Sequence, residues 1–199
     1  MAKTLIVGLT GSPASGKSEA AKVFRELGAE VVCADALAKL ALEAGSAACA
    51  GIRRKFGKKA FRPDGSVNRQ WLADRVFSAP ALKKWLEMQV HPIVIIESLK
   101  TLRSTKRDIA VFDAPLLFEA QAQRICDITL CVRAKRELRL ERAIRRGWSE
   151  AEFSARDKAQ FPQERKAALA DVVIDNSGSR KELAAKITEL YRTLISIKI

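Results

Sequence analysis

The chain has 199 residues, of which 48% are hydrophobic, and it carries a formal net charge of +13 at pH 7. This length accommodates one domain with small additions, and the hydrophobic fraction is enough for a buried core. No apolar stretch approaches the roughly 20 residues that a membrane-spanning helix requires, so we expect neither an anchor nor a signal peptide. The positive charge indicates anionic ligands, and phosphorylated small molecules and nucleic acids both fit it.

The cysteines indicate neither a zinc site nor a disulfide framework. Their spacing does not match zinc-ligand patterns, and the chain has a single histidine, His91. We therefore interpret all four as small apolar residues: Cys33, Cys49, Cys126 and Cys131. Reduced thiols are typical of a cytoplasmic enzyme.

The first 35 residues predict a βαβ unit. An apolar run without helical period at 3–9 predicts a buried strand, a glycine-rich turn follows at 11–16, and helical spacing of apolar residues begins near Lys17. A second apolar run at 30–35 predicts a strand that ends in the acid Asp35. The crossover between two such parallel strands is nearly always right-handed.

Residues 36–106 show helical patterns and no convincing strand. A turn is predicted at 62–66, Asn68 is a candidate helix cap, and a long helix is predicted after Pro80. We interpret this block as a helical insertion over a sheet.

Strands and helices alternate again after the insertion. Further strands are predicted at 108–113, 127–132 and 171–176, with a basic helix after the second of these, a helical hairpin interrupted near Pro162, and a terminal helix. Together with the first two strands they predict a three-layer, doubly wound α/β domain with a five-stranded parallel sheet.

Residues 11–18 match the phosphate-binding pattern G-x-x-x-x-G-K-[ST] between a predicted strand and a predicted helix. Glycines at both ends allow main-chain N–H groups to converge on phosphate oxygens, and the helix start adds the positive end of its dipole. We expect Lys17 to reach the β- and γ-phosphates of ATP and Ser18 to coordinate Mg²⁺. The predicted ATP-binding residues of this segment are Gly11, Ser12, Pro13, Ala14, Ser15, Gly16, Lys17, Ser18 and Glu19.

The surroundings of this loop favour a compact kinase. A guanine nucleotide switch would need N-K-x-D after a later strand, where this chain has DVVIDN at 171–176. Hydrolytic and motor ATPases usually have acidic runs after an apolar strand, and the nearest counterpart here is the single acid Asp113.

Asp35 is a candidate for positioning the acceptor hydroxyl. The carboxyl ends of parallel strands are where ligands bind in such sheets. A carboxylate there accepts the hydrogen of an acceptor hydroxyl and aligns its oxygen with the γ-phosphorus. The alternative is that Asp35 caps the following helix, and the two roles are compatible.

Several segments, in order along nearly the whole chain, together resemble the dephospho-coenzyme A kinase family. They are TGSPASGKS (10–18), ADALAK (34–39), the His91-Pro92 pair, DAPLLFE (113–119), ERAIRR (141–146) and QFPQERKAALADVVIDNSGS (160–179). The resemblance implies that ATP phosphorylates the ribose 3′-hydroxyl of dephospho-coenzyme A. It also implies a P-loop kinase fold with a helical substrate-binding insertion and a helical lid.

The resemblance further implies a division of labour along the chain. The nucleotide-binding core is 1–35, 107–142 and 170–199, the helical coenzyme A-binding domain is 36–106, and the lid is 143–169. ATP is the co-substrate with Mg²⁺, dephospho-coenzyme A is the small-molecule partner, and neither nucleic acid nor a membrane is expected as a partner. We expect a cytoplasmic enzyme and favour a monomer.

Catalytic roles carried over by position fall on Asp35, Lys17 and Arg142. The Arg142 guanidinium would stabilise charge on the transferred phosphoryl group, and the alternative is a surface ion pair with Glu137 or Glu141. Asp113, with Ser18, would serve the metal ion, the alternative being a strand-end acid that caps a turn.

Further binding roles implied by the resemblance fall on His91, Leu117 and Asn176. His91 and Leu117 join Asp35 as substrate-binding residues, although a His-Pro pair in a helix also fits a purely structural kink. Asn176 would contact the adenine side of ATP, and turn formation is an equally good interpretation.

The chain departs from the family pattern in its phosphate-binding loop and its lid. The interior at 12–14 is Ser-Pro-Ala where the family is usually glycine-rich, and Pro13 lacks a backbone donor. Glu19 stands where a threonine is common. The segment 166–171 lacks arginines that the family often has. The candidates that would replace them at the phosphates are Arg156, Lys158 and Arg165.

Two alternative functions remain open from the sequence. One is a nucleoside or other metabolite kinase of similar architecture. The other is an ATP-dependent nucleic-acid-binding module, which the charge of +13 suggests. Against the module, aromatic residues make up only 6% of the chain and show no paired stacking arrangement among basic residues.

Overall fold

The computed structural model describes residues 4–77 and 79–197. The chain forms two compact units, the first comprising residues up to Cys33 and from Thr101 onward, and the second comprising Ala34–Lys100. The helices are α1 (Lys17–Glu26), α2 (Ala34–Leu40), α3 (Ala47–Phe56), α4 (Arg69–Phe77), α5 (Pro80–Ser104), α6 (Arg136–Ile144), α7 (Glu150–Lys158), α8 (Gln163–Leu169) and α9 (Arg180–Ile197). Short 3₁₀ helices lie at Lys58–Ala60 and Ala122–Ile125.

A five-stranded parallel sheet forms the centre of the first unit. Its strands are β1 (Leu5–Thr10), β2 (Glu30–Cys33), β3 (Ile109–Asp113), β4 (Ile128–Arg133) and β5 (Val172–Asp175). They lie in the order β2-β3-β1-β4-β5, and all four pairings are parallel. The predicted α/β fold with a five-stranded parallel sheet is confirmed.

The core of the first unit fixes the edge of the sheet where the strands end. Apolar side chains of β1, β3 and β4 pack with α1 and α9, and Phe24 and Ile187 are fully buried among them. Each such side chain stabilises the fold by about 1.5–3 kcal/mol. Because Leu9 pairs with both Asp113 and Leu130, the ends of the three central strands are held side by side.

The second unit contains α2, α3, α4 and the part of α5 up to Lys100. Helices were predicted in this part of the chain. The predicted turn is present, closed by an antiparallel bridge between Phe61 and Val67. Asn68 caps α4 as predicted, because its side-chain oxygen accepts a 3.2 Å hydrogen bond from the Trp71 N–H. The ring of Phe56 meets those of Trp71 and Trp85 edge-on, at 5.8 and 5.5 Å between centroids.

No helix within the described parts of the chain combines the length and the apolar character needed to cross a membrane.

Candidate active site

The loop that follows β1 requires glycine at two positions. Gly16 has φ +105°, which side chains rarely adopt, and a Cβ there would lie 2.0 Å from the Asn176 amide nitrogen. A Cβ on Gly11 would lie 2.5 Å from the Val132 carbonyl oxygen. Residues 11–16 therefore turn tightly over the end of the sheet, and α1 begins directly after them.

Two serine hydroxyls of this loop are buried in a way that fits an anion. Ser12 and Ser15 are 3% and 1% exposed, and neither Oγ has a hydrogen-bond partner among the described residues. No side chain caps the α1 N-terminus at Gly16. Because buried polar groups normally have partners, these hydroxyls and the helix start provide donors suited to the phosphates of ATP.

Lys17 and Asp113 form a largely buried ion pair next to the loop. The Lys17 ammonium donates to the Asp113 carboxylate, and the side chains are 13% and 9% exposed. Asp113 ends β3 beside Leu9, whereas Ser18 is exposed at the start of α1. No group of three or more His, Cys, Asp or Glu suited to a metal ion occurs in the described ranges.

Asn176, which directly follows β5, supports the loop after β1. Its side-chain N–H₂ donates to the Ser15 carbonyl at 2.8 Å, and its own carbonyl accepts from Arg142 Nη2 at 2.9 Å. The side chain of Asn176 therefore serves the main chain of the loop, in line with the structural alternative for this residue.

Arg142 does not form the surface ion pair considered as its alternative role. Glu141 instead pairs with Arg145, and Arg142 Nη1 has no hydrogen-bond partner among the residues described. Burial, and then repulsion by Arg146, lowers the pKa of the Arg142 guanidinium. A cationic neighbourhood of this kind attracts anions.

Asp35 and His91 belong to the second unit. The strand β2 ends at Cys33, so Asp35 is not the last residue of a strand, and α2 begins at Ala34, so Asp35 lies in the first helical turn rather than at the N-cap. The predicted strand extends two residues too far because Ala34 and Asp35 belong to α2. Asp35 is exposed, and His91 is partly buried within α5, which continues past Pro92.

Leu117, in contrast, lies in the first unit and is fully buried. Its side chain packs against Gly8, where an added Cβ would lie 3.0 Å from Leu117 Cδ2. Leu117 belongs to the segment that follows β3, and its side chain packs inside the first unit.

Lys166, which no sequence pattern indicated as a site residue, has several buried polar contacts in this region. This α8 side chain is fully buried and donates to the Pro115 carbonyl at 2.5 Å and to Gln160 Oε1 at 2.7 Å. Glu119 Oε1 lies 3.2 Å from its ammonium and also accepts the Phe161 N–H. Burial is the main cause that lowers the pKa of Lys166.

The sequence pattern of α8 gave no signal for this residue. Lys166 is buried while Leu169 is half exposed, the reverse of what an amphipathic helix predicts.

Two of the basic residues predicted to contact phosphate lie over aromatic rings, Arg156 over Trp148 at 4.4 Å and Arg165 over Phe161 at 3.7 Å. Lys158 is exposed and lines a cleft of about 810 Å³.

Comparison with known proteins gives one consistent family. A family model described as dephospho-CoA kinase matches residues 5–182. A dephospho-CoA kinase from Anaeromyxobacter dehalogenans is 42% identical over 193 residues, covering 95% of this chain and 92% of the relative. A crystal structure of a Thermus thermophilus protein superposes with a TM-score of 0.84 at 35% identity, covering 96% of this chain and 98% of that one. Dephospho-CoA kinase from Campylobacter jejuni has a TM-score of 0.72 at 25% identity, with 98% of each chain covered.

Proposed function

The chain belongs to the dephospho-CoA kinase family, which uses ATP to phosphorylate the ribose 3′-hydroxyl of dephospho-CoA, and we propose that its own reaction proceeds beside Lys17. This reaction is the last step of coenzyme A synthesis. The observation that carries the proposal is the largely buried Lys17–Asp113 pair next to a loop with two serine hydroxyls that have no hydrogen-bond partner among the described residues.

The loop after β1 holds the phosphates of ATP in this proposal. Main-chain N–H groups of residues 11–16, with Ser12 and Ser15 Oγ, donate to phosphate oxygens. The Lys17 ammonium lies at the start of α1 and neutralises charge on the β- and γ-phosphates. Glu19 lies in the first turn of α1, where its charge also interacts favourably with the helix dipole.

Mg²⁺ has a small set of protein ligands available here. Bound Mg²⁺ typically keeps several waters and uses one or two protein oxygens together with substrate phosphates. The Ser18 hydroxyl and the Asp113 carboxylate would supply oxygens of that type. The ion supplies charge neutralisation at the transferred phosphoryl group when bound.

Asp35 and Arg142 act on the two reactants. Asp35 accepts the hydrogen of the ribose 3′-hydroxyl and orients that oxygen, while Arg142 Nη1 donates to the nucleotide phosphates. The cationic surroundings of Arg142, together with the unpartnered Nη1, support this role. Asn176 keeps the loop in shape, and its neighbourhood receives the adenine.

The two remaining parts of the chain supply the acceptor site and a cover. Residues 36–106 form the substrate-binding part, with His91 as a candidate contact to dephospho-CoA. Residues 143–169, which include α7 and α8, form a lid that excludes water from the transferred phosphoryl group. The enzyme works in the cytoplasm, and a monomer suffices for this arrangement.

Steady-state assays of coenzyme A formation test the proposal with Asp35→Asn. Purified protein, ATP, Mg²⁺ and dephospho-CoA are combined, with adenosine as a competing acceptor. We expect coenzyme A as the product, a loss of at least about 10²-fold in turnover for Asp35→Asn, and nearly unchanged ATP affinity. Asp74→Asn, an exposed acid of the same unit whose carboxylate accepts from Gln70, is the matched control.

Three outcomes would contradict the proposal in different ways. Equal turnover of Asp35→Asn and wild type would remove Asp35 from the mechanism. Preferential phosphorylation of adenosine would favour a nucleoside kinase. No turnover of dephospho-CoA together with tight, steeply salt-dependent binding of RNA or DNA would favour a nucleic-acid-binding module.

A further inference from the structure

The unusual interior of the phosphate-binding loop packs against α6 and α7. Ala14 is 7% exposed and forms a small apolar cluster with Ala143 of α6 and Phe153 of α7, both of which are fully buried. The partly buried side chains of Leu140 and Trp148 surround this cluster. A glycine in place of Ala14 would provide no methyl group for this contact.

A buried arginine joins the same three elements by polar contacts. Arg139 of α6 makes a two-pronged ion pair with Asp157 of α7, with distances of 2.6 Å for Nη1–Oδ1 and 3.3 Å for Nη2–Oδ2. Nη1 also donates to the Pro13 carbonyl at 3.4 Å. The Arg139 side chain is 5% exposed, and its guanidinium lies 5.5 Å from the Phe153 ring centroid.

The geometry of these contacts constrains the loop from outside. Ala14 has φ 60°, a left-handed conformation that is unfavourable for residues with a side chain. Such a conformation persists where the surroundings hold it in place. Because Pro13 has a fixed φ and Ala14 is packed against Phe153, the loop has less freedom than a glycine-rich interior would have.

We propose that Arg139 is a positioning residue for the nucleotide site. It ties the Pro13 carbonyl to Asp157, and so α7 holds the loop in its phosphate-binding shape before the nucleotide arrives. Preorganisation of this kind raises affinity because less ordering is required on binding. The identity of the nucleotide rests on the proposed function, whereas the mechanical link between loop and α7 does not.

Binding measurements without turnover test the role directly. The dissociation constant of a non-hydrolysable ATP analogue is measured by calorimetry for wild type, Arg139→Gln, Arg139→Lys and Asp157→Asn. We expect about a tenfold increase for Arg139→Gln, equivalent to about 1.4 kcal/mol, a smaller increase for Asp157→Asn, and partial recovery for Arg139→Lys. In kinetics, KM for ATP should rise while kcat and KM for dephospho-CoA change less than about threefold.

A matched pair elsewhere in the first unit is the control. Arg133 and Asp175 also form an arginine–aspartate pair, but their side chains are 49% and 44% exposed. Arg133→Gln removes the same charge, and we expect less than a twofold change in the dissociation constant because exposed pairs contribute little. Thermal unfolding is followed for every variant.

The coupling between Arg139 and Asp157 provides a second test. The double variant Arg139→Gln/Asp157→Asn should bind the analogue no more weakly than Arg139→Gln alone, because both changes break the same link. Additive losses would overturn the proposal, as would an unchanged dissociation constant for a folded Arg139→Gln.

If Arg139→Gln fails to fold, the variant Ala14→Gly tests the constraint on the loop instead. Hydrogen exchange of the loop amides in the nucleotide-free protein should accelerate in Ala14→Gly, and unchanged exchange would overturn the proposal. A wild-type protein that binds the analogue but makes no coenzyme A would contradict the proposed function and leave this inference intact.

Discussion

The phosphate-binding loop and the α7–α8 hairpin (residues 150–169) are held by different kinds of interaction. Residues 11–16 turn through main-chain geometry, with Gly16 at φ +105° and a Ser15 N–H bond to the Ser12 carbonyl. The hairpin is fixed by buried cations, Lys166 and Arg139, which reach partners as far as 51 and 126 residues away in sequence. The first region is defined by local chemistry, and the second by tertiary pairing.

This difference teaches where function and stability should separate. The loop keeps its donors for a ligand, so changes there should act mainly on nucleotide binding and rate. The hairpin uses its charges within the protein, and removal of one buried partner leaves an uncompensated charge. Changes at Lys166 should therefore act first on folding, whereas Arg139 also contacts the loop through the Pro13 carbonyl.

The largest effect should come from Lys17→Ala in the loop region. We expect kcat/KM to fall by roughly 10³-fold, with a higher KM for ATP and a lower kcat, because in the proposed function the ammonium neutralises charge on the transferred phosphoryl group. Steady-state kinetics with both substrates varied measure the loss. Lys22→Ala, which removes an exposed lysine of the same helix, is the control. Wild-type activity of Lys17→Ala would mean that this loop is not the phosphate site.

Lys166→Met tests the other side of the comparison. We expect a decrease of about 3 kcal/mol in the free energy of unfolding, because the Glu119 carboxylate loses its buried partner. Urea denaturation measures this decrease. Lys158→Met, which changes an exposed lysine of α7, should alter stability by less than about 0.5 kcal/mol.

A second change at Glu119 sharpens the interpretation of Lys166. Lys166→Met/Glu119→Gln removes the unpaired charge as well, and it should be more stable than Lys166→Met alone. Equal or lower stability of the double variant would show that Lys166 acts through its bonds to Pro115 and Gln160 rather than through charge.

Local patterns were enough to predict the sheet and the phosphate-binding loop. Every predicted strand is present, because a continuous apolar run is typical of a strand buried on both faces. The glycine-rich loop was predictable because the shape it needs excludes most side chains at Gly11 and Gly16. Local patterns did not predict where β2 ends, and its end at Cys33 places Asp35 in a helix.

The buried charges were not predictable from local patterns. In α8 the periodicity of the side chains favours Leu169 as the buried residue, and only the position of Glu119 and Pro115 in three dimensions accounts for Lys166. Similarly, Arg139 belongs to a basic run that resembles a solvated helix face, and its partner Asp157 lies on another helix. In both cases the burial of the charged side chain depends on partners that are distant in sequence.

Asn176 combines the two kinds of interaction, since its side chain, directly after β5, supports the main chain of a loop that is distant in sequence. We expect Asn176→Ala to lower the free energy of unfolding by about 1–2 kcal/mol, because the Ser15 carbonyl loses its donor. Asn176→Asp should lower it further, since a carboxylate has no N–H to donate and repels that carbonyl. Urea denaturation of both variants, with ATP-analogue binding as a second readout, measures the difference. Equal stability of Asn176→Asp and wild type would contradict this supporting role.

The smallest effect concerns Cys131, a buried thiol of β4 near the charges of the hairpin. Burial raises the pKa of the Cys131 thiol above its usual range, to about 11. Because the folded pKa is the higher one, the thiol's contribution to stability is present in full below pH 9 and is lost as pH rises through 11. The free energy of unfolding should therefore decline less between pH 9 and 11 in Cys131→Ala than in wild type. Parallel declines would mean that Cys131 ionises as readily in the folded protein as in the unfolded chain.

Alkylation of the native protein distinguishes burial from charge as the cause of this shift. Lys166 lowers the pKa of Cys131, although burial outweighs it. Removing that positive charge in Lys166→Met should make Cys131 still slower to react at a given pH, provided that the variant remains folded. Faster alkylation in a folded Lys166→Met would show instead that Lys166 acts mainly by packing, because its side chain shields Cys131 from reagent and water. That result would assign Lys166 a packing function. Arg139 would then be the one remaining case, of these two, of a buried cation that holds the hairpin through its charge.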